Sequence, residues 1–141
     1  MRDQPIADLI RDQDPLTLPP ETSIRDACAR MRDRRVGAVL VTTDDGGLAG
    51  IFTGRDAVCR MLAEGLDAAR VALGEVMTPA PDTLPPTATS MEALRLMQDR
   101  HCRHVPILRE GRVVGIVSRG DFRALAHARL TEENGFFEVL R

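Results

Sequence analysis

Gly50-Ile51-Phe52-Thr53-Gly54-Arg55-Asp56 returns further along the chain as Gly115-Ile116-Val117-Ser118-Arg119-Gly120-Asp121. Each copy is a strand-like apolar run that closes on a hydroxyl residue and reaches an aspartate three positions later. The duplication extends upstream. Leu18, Pro19, Pro20, Ala27, Met31, Asp33 and Arg34 recur 66 positions on as Leu84, Pro85, Pro86, Ala93, Met97, Asp99 and Arg100. The offset drops to 65 at Gly50 and Gly115, so one residue is lost between them and the upstream strands, in the turn that reads Asp44-Asp45-Gly46-Gly47 in the first copy and around the shorter Glu110-Gly111 in the second. Loops absorb such length changes and packed elements do not. Two copies make a paired module rather than a solenoid.

A unit of about 60 residues buries too little surface to be comfortable alone, so the two halves of this 141-residue chain should share a core. With 43% hydrophobic residues, 28% charged residues and a net charge of −2, the composition is that of a globular protein, and charge forces no class of partner. No apolar run approaches the ~20 residues of a membrane helix. The start of the chain lacks the apolar stretch of a signal peptide, so a cytoplasmic location is the expectation. Cys28, Cys59 and Cys102 are odd in number and not closely paired, which favours buried free thiols over a disulfide framework or a four-ligand zinc site. All nineteen basic residues are arginine and none is lysine, which reads as codon bias, although the planar fork of arginine also suits phosphate.

Ile24, Ala27, Cys28 and Met31 have the spacing of an amphipathic helix over residues 23–34. Ser23 with Asp26 and Thr89 with Glu92 have capping-box spacing, so two helices should start at equivalent points. Residues 38–41 paired with 48–53, and 105–108 paired with 113–118, read as two hairpins. After each motif aspartate the pattern turns helical again, through Val58, Met61 and Leu62 in one copy and Phe122, Leu125 and Ala126 in the other. Short opening strands over 16–18 and 82–84 complete a β-α-β-β-α order in each repeat. The expected divisions are 1–66 (first repeat with the N-terminal segment), 67–77 (connection), 78–130 (second repeat) and 131–141 (tail). Residues 78–81 should be extended, since a residue before proline avoids helix. In the tail, Phe136, Phe137 and Leu140 share an apolar face that must dock on this chain or on a second subunit.

The Thr53–Asp56 and Ser118–Asp121 spacing is that of a capping box. Capping leaves the paired glycines, Gly50 and Gly115, unexplained, and a glycine within a strand marks close approach by another group. A helix start offers free N–H groups and a positive dipole end, so a phosphate could sit against either hydroxyl. Both roles are compatible.

These two motifs, the helices ending near Met31 and Met97, and Arg103-His104-Val105-Pro106-Ile107 together resemble cystathionine β-synthase (CBS) domains. Over residues 5–130 the chain resembles a stand-alone CBS pair, or Bateman module. The resemblance implies an α/β fold in which two repeats pack about a pseudo-twofold axis with two clefts between them, and usually a homodimer, with the faces around Val58, Met61, Phe122 and Leu125 as candidate contacts. It implies no required cofactor and no catalysis. An adenine nucleotide (AMP, ADP or ATP) would be the regulatory ligand, signalling to a partner protein that the chain does not identify. S-adenosylmethionine, NAD and dinucleotide messengers share the adenosine part and remain alternatives.

Carried over from the family, Asp56 and Asp121 hold ribose hydroxyls, Thr53 and Ser118 contact phosphate, Thr17 and Thr83 line the adenine pocket, and Ala38 and His104 lie near the base. Arg55 precedes Asp56, but Gly120 precedes Asp121 and the arginine has moved to Arg119. The Asp56 site is therefore expected to be the better anion site. An enzyme would need catalytic parts that nothing here supplies. A nucleic-acid or structural module with degenerate clefts is the other alternative, against which the chain offers no Trp or Tyr for stacking bases. Arg30, Arg32, Arg34 and Arg35 read as a solvated helix end, and His101, Cys102 and His104 as structural or ligand-lining rather than a metal cluster.

Overall fold

The computed structural model describes residues 3–122. Leu125, Ala126 and the 131–141 tail, with Phe136, Phe137 and Leu140, lie outside the described residues. In chain order the elements are α1 (Ile6–Leu9), β1 (Thr17–Leu18), α2 (Ile24–Arg34), β2 (Ala38–Thr42), β3 (Leu48–Thr53), α3 (Gly54–Asp56) running into a π-helix (Ala57–Leu62), α4 (Leu73–Val76), β4 (Thr78–Pro79), α5 (Ser90–Arg100), β5 (His104–Arg109) and β6 (Arg112–Ser118). Residues 119–122 are helical.

The two long helices start and stop alike, as their sequences require. Ser23 Oγ accepts the Asp26 N–H at 3.1 Å, and Thr89 Oγ1 accepts the Glu92 N–H at 3.3 Å. Only the second is a full capping box, with Glu92 Oε2 accepting the Thr89 N–H at 3.0 Å. Both helices end on left-handed residues, Arg35 at φ 55° and His101 at φ 54°.

The first sheet has the order β1-β2-β3-β4, with β1 parallel to β2 and the other pairs antiparallel. The second is the hairpin β5-β6. The opening strand expected over 82–84 shrinks to one bridge, Leu84 with Ile107. Proline is the cause. In the first repeat the Leu40 N–H donates to Leu16 O at 2.9 Å, whereas the residue standing at Leu40's place is Pro106, which has no N–H to give.

A second duplication, shifted by 67, is legible once the fold is seen: Ile6-Ala7-Asp8-Leu9-Ile10 matches Leu73-Gly74-Glu75-Val76-Met77. These two arms are exchanged. The Ile6 N–H donates to Ala88 O and the Ala7 N–H to Pro86 O, while the Leu73 N–H donates to Thr22 O and the Gly74 N–H to Pro20 O, the equivalent acceptors in the other half. The N-terminal arm, which chain order groups with the first repeat, thus packs on the second. The connecting segment packs on the first.

Each half has its own core. Leu73 joins Ile24, Ala27, Met31, Val39, Val41, Phe52 and Met61 in one. Ile6 and Ile10 join Ala93, Met97, Val105, Ile107, Val117 and Phe122 in the other. Alternation along a strand sends successive side chains to opposite faces. Val39 and Val41 therefore enter the first core, while Ala38 and Leu40 join Ile51, with Val113 and Ile116 of β6, in a third cluster that joins the repeats. Burial on both faces explains why β2 reads as an unbroken apolar run.

Met61 and Phe122, expected as subunit contacts, are instead buried in these cores. Val58 and Leu62 do stand exposed, at 56% and 77%. The Ala63 N–H donates to Val58 O, a bond of i→i+5 type, and this wider turn separates Met61 from the face that ordinary helical spacing assigned it. Cys28 and Cys102 pack half-buried against the two cores, whereas Cys59, expected buried, is exposed. Of the arginines that close α2, Arg32 pairs with Asp33 at 2.9 Å and Arg34 holds the Asp14 carbonyl. Among the described residues, no helix is long and apolar enough to cross a membrane.

Candidate functional site

Residues opposed across a sheet present their side chains on one face. Ala38 opposes Thr53, Leu40 opposes Ile51, and Thr17 opposes Leu40, so Thr17, Ala38 and Thr53 share the face of the first sheet that meets the second repeat. His104 opposes Ser118 in the same way. Thr83 lies half-buried just before the Leu84 bridge, without an equivalent ladder to fix it.

Each motif closes on itself. Thr53 Oγ1 accepts the Asp56 N–H at 3.2 Å while Asp56 Oδ2 accepts the Thr53 N–H at 2.9 Å, a complete capping box. In the second copy Asp121 Oδ2 accepts the Ser118 N–H at 2.8 Å. Capping thus occupies one oxygen of each carboxylate. Among the described residues no hydrogen bond takes the other oxygen or the hydroxyl proton of Thr53 or Ser118, which leaves them to a diol and an anion.

The glycines answer to a different neighbour from the one their pattern suggested. A Cβ on Gly50 would stand 2.5 Å from Met77 Sδ and 2.7 Å from Thr78 O, and one on Gly115 would stand 2.7 Å from Ile10 Cβ. Met77 and Ile10 are equivalent residues of the exchanged arms. The close approach that the strand glycines permit is made by the chain itself, not by a ligand.

Backbone bonds confirm how the arginines are displaced. The Gly54 N–H donates to Gly37 O at 3.0 Å and the Arg119 N–H to Arg103 O at 2.9 Å, so Arg119 stands at Gly54's place and Gly120 at that of Arg55. Arg55 and Arg119 are both exposed.

One residue near the site escaped the sequence reading. Arg60 Nε lies 3.6 Å from Asp56 Oδ1, the oxygen that capping leaves free. The i,i+4 spacing on a helical segment was the available signal. The same place in the second copy is Leu125, which carries no charge.

His104 belongs to the contact between repeats. Its Nε2 would lie 3.7 Å from a Cβ on Gly37 of the first repeat. Burial lowers its pKa below the ordinary 6.5; Asp121 opposes this and Arg103 adds to it, so the ring is neutral at pH 7. His101 caps α5 in the open and Cys102 packs on the second core. Among the described residues, no three His, Cys, Asp or Glu side chains are grouped to hold a metal ion.

Two surface grooves, of about 520 and 410 Å³, flank Pro85 and Thr87 on the second repeat and include no motif residue. The larger is bordered by Glu92, Arg95 and Asp99, and Glu92 is already committed to capping. The paired, unspent acceptors of the motifs make the stronger candidate.

Residues 6–62 and 73–128 each match the CBS domain family, the two matches opening at Ile6 and Leu73 of the exchanged arms. The CBS domain-containing protein CBSCBSPB3 of Arabidopsis thaliana is 37% identical over 102 residues, covering 72% of this chain and 18% of that protein. The chain thus spans about a fifth of the length of that curated relative. A solved CBS-domain containing protein from Agrobacterium tumefaciens is 30% identical, with a TM-score of 0.77 over 86% of this chain and 95% of that one. A CBS domain protein from Pyrobaculum aerophilum, solved in complex with AMP, superimposes with a TM-score of 0.76 over 92% of this chain and 98% of that one; at 24% identity it shows the common fold. Twofold recurrence of the motif, the exchanged arms and these matches lead to one conclusion: the chain belongs to the CBS domain family, as a tandem pair of α/β repeats.

Proposed function

We propose that the pair is a regulatory, non-catalytic sensor of adenosine-containing nucleotides, AMP, ADP or ATP, which it binds between its repeats and reports to a partner protein in the cytoplasm. The observation that carries this reading is the half-spent carboxylate. Asp56 and Asp121 each commit one oxygen to capping and keep one for a ribose diol. Thr53 and Ser118 keep a hydroxyl proton for phosphate at the start of a helical segment, while Thr17, Ala38, Thr83 and His104 line the base. Arg55 and Arg119 supply charge, with Arg55 making the Asp56 site the stronger. That a chain of the same fold was solved with AMP supports the choice of adenosine over other diols. A sensor acts only through different affinity for two states. The homodimer would use the outer side of the π-helix, where Val58 and Leu62 are exposed.

A thermal-shift panel of AMP, ADP, ATP, S-adenosylmethionine, NAD and deoxyribose analogues tests this reading. A ligand at ~100 times Kd adds about 2.7 kcal/mol to the stability of the folded state. Deoxy forms should shift melting less. Equal shifts from ribose and deoxyribose compounds would remove Asp56 and Asp121 from the ribose, and no shift from any compound would remove the nucleotide.

A further inference from the structure

Arg60 touches both the motif of the first repeat and the segment that leads to the second. Its Nε lies 3.6 Å from Asp56 Oδ1, and its Nη1 donates to Val76 O at 2.9 Å and to Met77 O at 3.4 Å. A guanidinium carries five donors in a fixed fork and can hold a carboxylate and carbonyls together. Val76 is the last residue of α4, where backbone carbonyls have no partner within the helix and favour a positive charge.

The place it holds is a junction. Met77 lies against Gly50, three residues before Thr53, and the chain then passes through β4, paired to Gly50 and Ile51, toward Leu84 and the second repeat. The end of the exchanged arm is therefore fixed by Met77 on the motif glycine and by Arg60 on its carbonyls. Asp56 reaches the same junction because its second oxygen faces the same guanidinium.

We propose that Arg60 is a positioning residue that couples occupancy of the Asp56 site to the segment joining the repeats. This rests on the reading that Asp56 receives the ligand's diol. A diol that takes Asp56 Oδ1 competes for the oxygen facing Arg60, and the guanidinium shifts toward the Val76 and Met77 carbonyls. In sequence Leu125 stands at the corresponding position of the second copy, and its side chain has no donor for a carboxylate or a carbonyl.

Hydrogen exchange with AMP as the probe tests this on the whole chain, read on peptides covering residues 74–84 with calorimetry run in parallel. In the wild type, saturating AMP should slow exchange of the Met77 and Ala80 amides, which donate to Leu73 O and Ala49 O. Arg60→Leu, which copies the second repeat, should bind AMP within about tenfold of wild type, the size of one exposed charge contact at most, yet lose the AMP-dependent slowing. Arg60→Lys, a point charge without the fork, should restore it only in part. Because Arg60 is half-exposed, both variants should melt close to wild type. An Arg60→Leu protein that binds AMP and still slows linker exchange as the wild type does overturns the coupling alone. A wild type that binds no adenosine compound overturns the coupling together with the reading beneath it.

Discussion

Ile6 and Leu73 hold the same place in opposite halves: each is fully buried, Ile6 in the core built around Met97 and Leu73 in the core built around Met31. Each repeat is completed by an arm that the other side of the chain supplies. Removing a buried branched side chain costs its transfer free energy and leaves a cavity, together about 2–5 kcal/mol. Ile6→Ala should therefore lower the unfolding free energy by that amount in urea melts, and amide exchange should accelerate first at Val105 and Val117. Leu73→Ala should do the reverse, loosening Val39 and Val41. Uniform loosening in both variants would contradict the exchange of arms.

The strand glycines are steric requirements of the same exchange. At Gly50 an added methyl meets the Thr78 carbonyl, which belongs to the backbone, as well as the mobile Met77 side chain. Gly50→Ala should destabilise by about 1–3 kcal/mol, the usual range for overpacking, measured by urea unfolding. Pairing it with Met77→Ala should recover only part of the loss, since the carbonyl stays. At Gly115 the neighbour is Ile10 Cβ, so Ile10→Gly should relieve Gly115→Ala more fully than Met77→Ala relieves Gly50→Ala.

Asp56→Asn and Asp121→Asn keep a carbonyl oxygen for capping and remove the charge. Hydrogen bonds to a charged group contribute roughly 1.5–3 kcal/mol, so each should weaken its own site about ten- to a hundredfold with little change in melting. Calorimetry with AMP should show the larger loss for Asp56→Asn, because Arg55 directly precedes Asp56 whereas Gly120 precedes Asp121. A larger loss for Asp121→Asn would reverse the ranking of the sites.

His104 should leave a mark on the acid side of the stability profile. Its folded pKa is lowered, chiefly by burial, so between that value and 6.5 the unfolded chain binds more protons than the folded one. Its contribution is complete above about pH 6.5 and falls as pH drops through 6.5 toward the folded value. The difference between wild type and His104→Ala, the residue at the equivalent place in the first repeat, should show this slope in urea melts between pH 7.5 and 5. A flat difference would place the ring in water.

The repeats, their helices with both caps, the two hairpins and the capping character of the motifs were legible in the chain, because each rests on contacts between residues a few positions apart. Thr89 finds Glu92, and Thr53 finds Asp56, whatever the rest of the molecule does. The arms were not legible. Ile6-Ala7-Asp8-Leu9-Ile10 resembles Leu73-Gly74-Glu75-Val76-Met77 only in size and polarity, and which core each fills is fixed by contacts between segments remote in the chain, such as Ile6 with Ala88 and Leu73 with Thr22. For the same reason the reason for Gly50 and Gly115 lay beyond local pattern, since the atoms that exclude a side chain there come from the arms. Val58, Met61 and Leu62 parted because a π turn replaced the assumed spacing, and Arg60, whose i,i+4 relation to Asp56 is local, found its second hold on the carbonyls of a distant segment. The duplicated sequence determined that there are two like motifs, by local hydrogen bonding and apolar period; only tertiary packing decided which arm completes which repeat, and left the two motifs with different neighbours.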